Sequence, residues 1–250
     1  MKRIRIAAIA VAVVLLAACA PSEPEERGET VTVFAAASLT ETFDRIAAAV
    51  EEENPGSRVV LNYGGSSSLA QQIVQGAPAD VFAAASTDTM QIVDDAGLAE
   101  SSVVFVRNTL EIAVPAGNPA GVTGLADLAR DDLRIALCSE EVPCGAAAAT
   151  ALEAADVTAA PDTLEQDVKA VLTKVRLGEV DAGLVYRTDV IAAGDEVEGI
   201  AFAEAAEATT DYPITVLTDA PNPSLANAFV GYVRSPDGRF LLDDAGFAAP

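Results

Sequence analysis

The sequence predicts an α/β protein of two lobes, each a mostly parallel sheet flanked by helices, with a cleft between them. Three observations predict it. Short apolar runs alternate with amphipathic helical stretches along nearly the whole chain, the pattern of parallel strands joined by covering helices. A chain of 250 residues that is 51% hydrophobic has enough apolar material for two lobes. The alternation breaks at an acidic, irregular stretch, DEVEGIAFAEAAEATT, after which a strand pattern returns. Crossings between lobes are therefore expected near Val106–Leu110 and Thr209–Pro213, with residues 31–107 plus 212–250 forming lobe I and residues 108–211 lobe II.

The elements follow in order. ETVTVFAAA reads as a strand. Leu39, Phe43, Ile46, Ala47 and Val50 recur at helical spacing, so Leu39–Glu53 reads as a helix, stopped by Asn54-Pro55-Gly56. SRVVLNYGG is the next strand, followed by a helix over Leu69–Gln75 that ends at Gly76. DVFAAAS is a third strand, and Met90–Ala96 a helix ending at Gly97. TLEIAVPAGNP is a strand with a turn, Leu125–Arg130 a short helix and LRIALC a strand. Helices are expected over the alanine-rich Ala146–Ala155 and over Asp167–Leu177. AGLVY and DYPITVLTD are strands, and Ser224–Arg234 is the next-to-last helix.

The N-terminus is an address rather than part of this fold. Lys2, Arg3 and Arg5 precede an apolar segment, Ile6–Ala18, that is too short for a comfortable membrane span. It ends in Leu16-Ala17-Ala18-Cys19, which resembles a bacterial lipobox. Residues 1–18 are expected to be a signal peptide, Cys19 to be lipidated, and residues 19–30 to be a flexible tether. The mature domain would then be secreted across the cytoplasmic membrane and lipid-anchored to its outer face. An oxidising compartment and an even remaining count favour a disulfide between Cys138 and Cys144.

Charge and composition exclude whole classes of function. The formal net charge is −23, and loss of residues 1–18 leaves 12 basic against 38 acidic residues, or −26. Nucleic acid and anionic lipid need a basic face, so neither is an expected partner. Histidine is absent, which excludes Ser-His-Asp and Cys-His catalysis and the commonest transition-metal ligand. A secreted hydrolase using Ser38 or Ser66 would need another base. Lys169 or Lys174 could serve, yet neither sits in a Ser-x-x-Lys motif. No enzymatic activity and no cofactor are expected.

Two strand-to-helix turns carry candidate chemistry. In VFAAASLTETF, Ser38 opens a capping-box pattern with Glu41, and in YGGSSSLAQQI, Ser68 opens another with Gln71. Strand carboxyl ends line the crevice of an open α/β sheet, and a helix N-terminus there offers unpaired N–H groups to an anion. Two such turns in one lobe point to an anion site. Ser68 as the helix cap leaves Ser66 or Ser67 for a ligand. Asp80, in APADVF, reads as a structural aspartate. Tyr63, Tyr212 and Tyr232 receive no functional reading.

VFAAASLTETF, the YGGSSSLAQQI turn, QGAPADVFAAAS and GLVYRTD together resemble the periplasmic molybdate-binding proteins of bacterial ABC transporters, of the type II solute-binding family. The similarity runs from about Val31 to Phe247. The resemblance implies a hinged type II periplasmic-binding-protein fold that closes over a tetrahedral oxyanion. It implies a ligand held by neutral donors: the hydroxyls of Ser38 and Ser66, the main-chain N–H groups of Cys144 in Val142-Pro143-Cys144-Gly145 and of Val168 after Asp167, and the hydroxyl of Tyr186. A small residue is usual where Cys144 stands, and a main-chain donor tolerates the change. Molybdenum would then be present only inside its oxyanion, with no direct protein ligand. The expected ligand is molybdate or tungstate, and the expected partner a membrane permease, with the protein a monomer. Sulfate, or a small organic anion, is the alternative ligand. An organic acid usually recruits an arginine fork, and Arg187 is the sole arginine in these motifs. Molybdate, tungstate and sulfate only accept hydrogen bonds at neutral pH, whereas phosphate carries a proton and wants an acceptor, so phosphate ranks lower.

Overall fold

The computed structural model describes residues 29–99 and 101–250. The signal segment, Cys19 and the tether up to residue 28 lie outside the described residues.

The chain begins with β1 (Thr30–Ala36), a 3₁₀ turn (Ala37–Leu39) and α1 (Thr40–Glu53). It continues through β2 (Arg58–Gly64), α2 (Ser66–Val74), β3 (Val81–Ala83), α3 (Thr87–Asp95) and β4 (Val103–Asn108). One residue later β5 (Leu110–Pro115) opens a second sheet. A 3₁₀ turn (Leu125–Ala129), β6 (Ile135–Cys138), α4 (Pro143–Ala154), β7 (Thr163–Glu165), α5 (Val168–Arg176), β8 (Ala182–Tyr186), α6 (Arg187–Ala193) and β9 (Val197–Ile200) complete that half. The chain returns to the first sheet as β10 (Thr210–Val216) and closes with α7 (Pro223–Arg234) and α8 (Pro236–Asp244).

The two sheets repeat one plan, β2-β1-β3-β10-β4 and β7-β6-β8-β5-β9. β1 pairs in parallel with β2 and β3, while β10 runs antiparallel to β3 and β4. The second sheet matches: β6 is parallel to β7 and β8, and β5 is antiparallel to β8 and β9. In each sheet four strands point one way, and the strand that has just crossed from the other half points against them.

Alternation along β1 feeds two cores. Val31, Val33 and Ala35 face a cluster built with Leu39, Phe43 and Ile46 of the α1 side and Phe229 of α7. Phe34 turns to the opposite face, against Leu69, Ile73 and Met90 of α2 and α3. A strand buried on both faces reads as an apolar run, which is why β1 was legible in the sequence. With no tryptophan, the core relies on aliphatic packing and a few edge-on aromatic pairs, such as Phe43–Phe229 at 5.5 Å between ring centroids.

The structure differs from expectation in local detail. The helix expected from Leu39 starts at Thr40 behind a 3₁₀ turn, and neither Ser38 nor Ser68 caps a helix with its side chain. Ser38 instead bonds a distant tyrosine, and Ser68 sits on the exposed side of α2, whose N-cap is Gly65. The stretch over 195–210 that read as irregular contains β9 and a 3₁₀ turn at Ala203–Ala206. β7 was also missed. Both are edge strands of three or four residues with one neighbour each, too short and too exposed to show a period. No helix among the described residues is long and apolar enough to cross a membrane.

Cys138 ends β6 and Cys144 lies in the first turn of α4; the two form a disulfide, 5.7 Å between Cα atoms. The bridge ties a strand end to a helix start across a tight loop. There is no room inside that loop, since a Cβ on Gly145 would lie 1.9 Å from the Ser139 carbonyl oxygen. Loop entropy for so short a ring is roughly 2 kcal/mol. Replacing both cysteines with serine is expected to lower stability by about that amount, as read from urea unfolding; an unchanged midpoint would show that the loop is already ordered without the bridge.

Candidate functional site

Six strand ends meet at one cavity. From the first sheet come Ala36, Ala37 and Ser38 after β1, Gly64, Gly65 and Ser66 after β2, and Ala85 after β3. From the second come Val142, Pro143 and Cys144 after β6, Asp167 and Val168 after β7, and Tyr186 at the end of β8. These are the carboxyl ends of the parallel strands of both sheets, where α/β folds place ligands. The cavity has a volume of about 20 Å³. That suits a body of a few heavy atoms, against the several hundred cubic ångströms, roughly 300 or more, typical of drug-sized ligands.

Small residues make the close approach possible. Ala36, Ala37 and Ala85 present no more than a methyl group. At Gly65 even that is excluded, because a Cβ would lie 2.2 Å from the carbonyl oxygen of Gln166, which belongs to the opposite half.

The polar groups facing the cavity are donors, and local structure explains each. Pro143 at the first turn of α4 has no N–H, while Gly145 and Ala146 both donate to Val142. The Cys144 N–H is left without an acceptor among the described residues. At α5 the Asp167 carboxylate caps the helix by accepting from the Ala170 N–H at 2.9 Å. Its charge is thereby committed to the helix, and the Val168 N–H is without an acceptor among the described residues. The Ser66 hydroxyl oxygen accepts from the Ala85 N–H at 3.0 Å. The Ser38 hydroxyl lies 2.8 Å from the Tyr212 hydroxyl.

Tyr186 is 1% exposed, and its hydroxyl has no hydrogen-bond partner among the described residues. An unpaired buried hydroxyl costs of order 1–3 kcal/mol, and this one belongs to a residue that lines the cavity. Burial raises the pKa of Tyr186, and of Tyr212 beside it, above the ordinary tyrosine value, so both stay neutral donors. The rings pack edge-on with centroids 5.9 Å apart.

All five residues expected from the sequence line this one cavity. Ser67 does not: its hydroxyl donates to the Glu141 carbonyl at 2.7 Å, across to the other half. Asp80 is structural, accepting from the N–H groups of Thr32 at 2.7 Å and Asn222 at 2.6 Å. Lys169 and Lys174 are not in the lining. Lys174 faces Glu165 and Glu179, and Arg187 faces Glu111. No group of three or more His, Cys, Asp or Glu side chains able to hold a metal ion exists among the described residues.

Sequence reasoning missed the support behind the cavity. Lys169 of α5 bonds both carboxylate oxygens of Glu41 on α1, at 2.7 and 2.8 Å, and pairs with Asp189 of α6 at 3.1 Å. The ion pair joins the two halves. Asp189 is fully buried, and its other oxygen accepts from the Tyr186 N–H at 3.2 Å. The one available signal was RTD directly after Tyr186, too short to imply a role.

Burial pushes the Asp189 carboxyl up to about 6, with the Lys169 charge opposing the rise. The folded protein then holds this proton more tightly than the unfolded chain does. Its contribution to stability is fully present below the ordinary value of 3.8 and is lost as pH rises through about 6. Asp189→Asn is therefore expected to gain stability relative to the native protein across that window, in urea unfolding at a series of pH values. A difference that is flat with pH would mean that Asp189 titrates like an exposed aspartate.

Comparison with known proteins places this architecture. The family model described as bacterial extracellular solute-binding protein matches residues 31–248. The molybdate-binding protein of Mycobacterium tuberculosis is 41% identical over 234 residues, covering 93% of this chain and 90% of its own. Among solved structures, the Azotobacter vinelandii periplasmic molybdate-binding protein aligns with a TM-score of 0.75 at 21% identity, over 88% of this chain and 99% of its own. The sulfate-binding protein of M. tuberculosis aligns with a TM-score of 0.76 at 18% identity, over 88% and 87%. At those identities the structural likeness speaks for the fold alone, a two-lobed α/β binding protein. A match over nearly all of the described chain, with a relative above 40% identity, makes this chain a member of the bacterial extracellular solute-binding protein family.

Proposed function

We propose that this protein captures molybdate or tungstate between its two lobes and delivers it to the membrane permease of an ABC transporter. The observation that carries the reading is a cavity faced by five donors: Ser38, Ser66 and Tyr186 supply hydroxyls, and Cys144 and Val168 supply main-chain N–H groups, while the Asp167 carboxylate beside them is engaged as a helix cap. A dianion that accepts at every oxygen satisfies all five. The name of the 41%-identical relative supports the choice of molybdate. Ligand removal from water is offset by dipoles already in place, so the strongly negative chain needs no lysine or arginine in the site. Sulfate would use the same donors, and its smaller size is the ground for discrimination.

In this reading residues 31–107 with 212–250, and residues 108–211, move as two lobes about the crossings at Thr109 and near Thr210. Closure over the ligand makes the Lys169–Glu41 and Ser67–Glu141 contacts. Residues 1–18 direct export and lipidated Cys19 holds the monomeric domain at the outer face of the membrane, where its permease lies. The protein returns its ligand unchanged, and Lys169, already engaged by two carboxylates, is no general base.

Calorimetric titration of the tether-less, ligand-stripped protein tests the reading. Tight one-to-one binding of molybdate and tungstate is expected, with sulfate weaker and phosphate weakest; silence towards molybdate and tungstate would overturn it. Ser38→Ala and Tyr186→Phe are each expected to cost roughly ten- to a hundred-fold in affinity, the range for a hydrogen bond to a charged partner. Gly65→Ala is expected to lower affinity at least as much, roughly a hundred-fold on the same scale, without unfolding the lobes, because its methyl would collide with Gln166 on closure. Native affinity in this variant would mean that the cleft holds its ligand without closing.

A further inference from the structure

We propose that Asn108 and Tyr212 are positioning residues that turn the Ser38 hydroxyl hydrogen toward the cavity, and that this sharpens the protein's preference for fully deprotonated oxyanions. The inference rests on the reading of Ser38 as a ligand contact. It starts from a group that has no choice. The Thr109 main-chain N–H donates to the Asn108 side-chain oxygen at 3.0 Å, and an N–H can only donate. The Asn108 amide is thereby oriented, and its NH₂ faces the hydroxyls of Thr188 at 2.9 Å and Tyr212 at 3.4 Å. An amide NH₂ also only donates. Tyr212 accepts from Asn108, and among the described residues the acceptor on hand for its single hydrogen is the Ser38 oxygen, 2.8 Å away, so the bond that satisfies both hydroxyls runs from Tyr212 to Ser38. Ser38, having accepted, directs its own hydrogen into the cavity.

The same logic acts on the second serine by a shorter route. Ser66 accepts from the Ala85 N–H, another obligate donor, so its hydrogen also points to the ligand. Asn108, Tyr212 and Ser38 are 2%, 0% and 4% exposed, so the chain of donors runs through the protein interior. A serine hydroxyl left to itself donates or accepts as the ligand requires, and would accept the proton of hydrogen phosphate. Two serines polarised from behind meet a protonated anion oxygen only by leaving their own hydrogen without an acceptor, which costs free energy. Selectivity against protonated anions then resides in residues that never touch the ligand. Asn108 ends β4, one residue before the chain enters the second sheet, so the donor chain starts at the crossing between halves.

The test is a double-mutant cycle read by titration with molybdate and, in competition, with phosphate near pH 7.5. Tyr212→Phe keeps the ring that packs against Tyr186 and Phe247 and removes the relay. It is expected to lower molybdate affinity roughly ten-fold and to narrow the molybdate-to-phosphate ratio. Asn108→Asp offers Tyr212 an acceptor in place of a donor, so Ser38 must donate backwards; the loss is expected to equal or exceed that of Tyr212→Phe. In a Ser38→Ala background Tyr212→Phe is expected to change neither affinity nor ratio. Two results overturn the inference while leaving the ligand reading intact: native binding of molybdate with Tyr212→Phe indistinguishable from it, or an equal loss from Tyr212→Phe with and without Ser38. If the native protein binds no molybdate, tungstate or sulfate, the ligand reading falls and the inference with it. Urea unfolding of each variant separates lost binding from lost fold, and if Asn108→Asp does not fold, the Tyr212 cycle decides alone.

Discussion

A buried N–H or O–H group needs an acceptor, and the rest of this structure is arranged so that several such groups face one cavity. Six parallel strands end at the cavity, each followed by a turn or a helix start whose first amides have no partner within the helix. Proline at the start of α4 and the Asp167 cap on α5 remove or satisfy neighbouring donors, leaving Cys144 and Val168 singled out. The Tyr186 hydroxyl beside them is buried and has no hydrogen-bond partner among the described residues. The cost of leaving these groups unpaired is what a well-fitted anion relieves.

The same constraint reconciles a net charge of −23 with the anion proposed as cargo. The lining contains no lysine or arginine, and its one carboxylate is engaged as a helix cap. Dipoles do locally what formal charges would do at longer range, and they do it with direction. A lysine would attract phosphate and molybdate alike. A set of fixed donors distinguishes an anion that only accepts from one that still carries a proton. The acidic surface is left to solvent, where it keeps the chain soluble without opposing the site at close range.

Specific polar contacts join the halves beside the cavity. Lys169 lies between Glu41 of one half and buried Asp189 of its own, the Ser67 hydroxyl reaches the Glu141 carbonyl, and Gly65 packs against the Gln166 carbonyl. Each sits within a few residues of a cavity-lining group, so the geometry that closes the lobes and the geometry that completes the site are the same geometry. Asp189 shows the link most directly, since it pairs with Lys169 through one oxygen and holds the Tyr186 main chain with the other.

Read without its fold, the chain already determined the α/β class, the positions of most strands and helices, and the exclusion of histidine chemistry and nucleic acid. These follow from local periodicity and composition: β1 and β8 were legible as short apolar runs, and α1 by its helical period. The residues lining the cavity were legible through family resemblance in VFAAASLT, the serine turn and GLVY, because close backbone approach and strand-end geometry demand small residues at set places. Tertiary structure alone decided what those residues do next. Ser38 was read as a helix cap because capping is the local default for serine before such a helix, but burial placed its hydroxyl against Tyr212, 174 residues away. Ser68 was read as a cap for the same reason, and Ser66 took the buried place instead, held by Ala85. Hydrogen-bond direction, the choice among three adjacent serines and the Glu41–Lys169–Asp189 ion pair depend on which groups share the interior. No local pattern encodes that, because the partners are brought together only when two sheets, joined after Asn108 and again before Thr210, fold against each other.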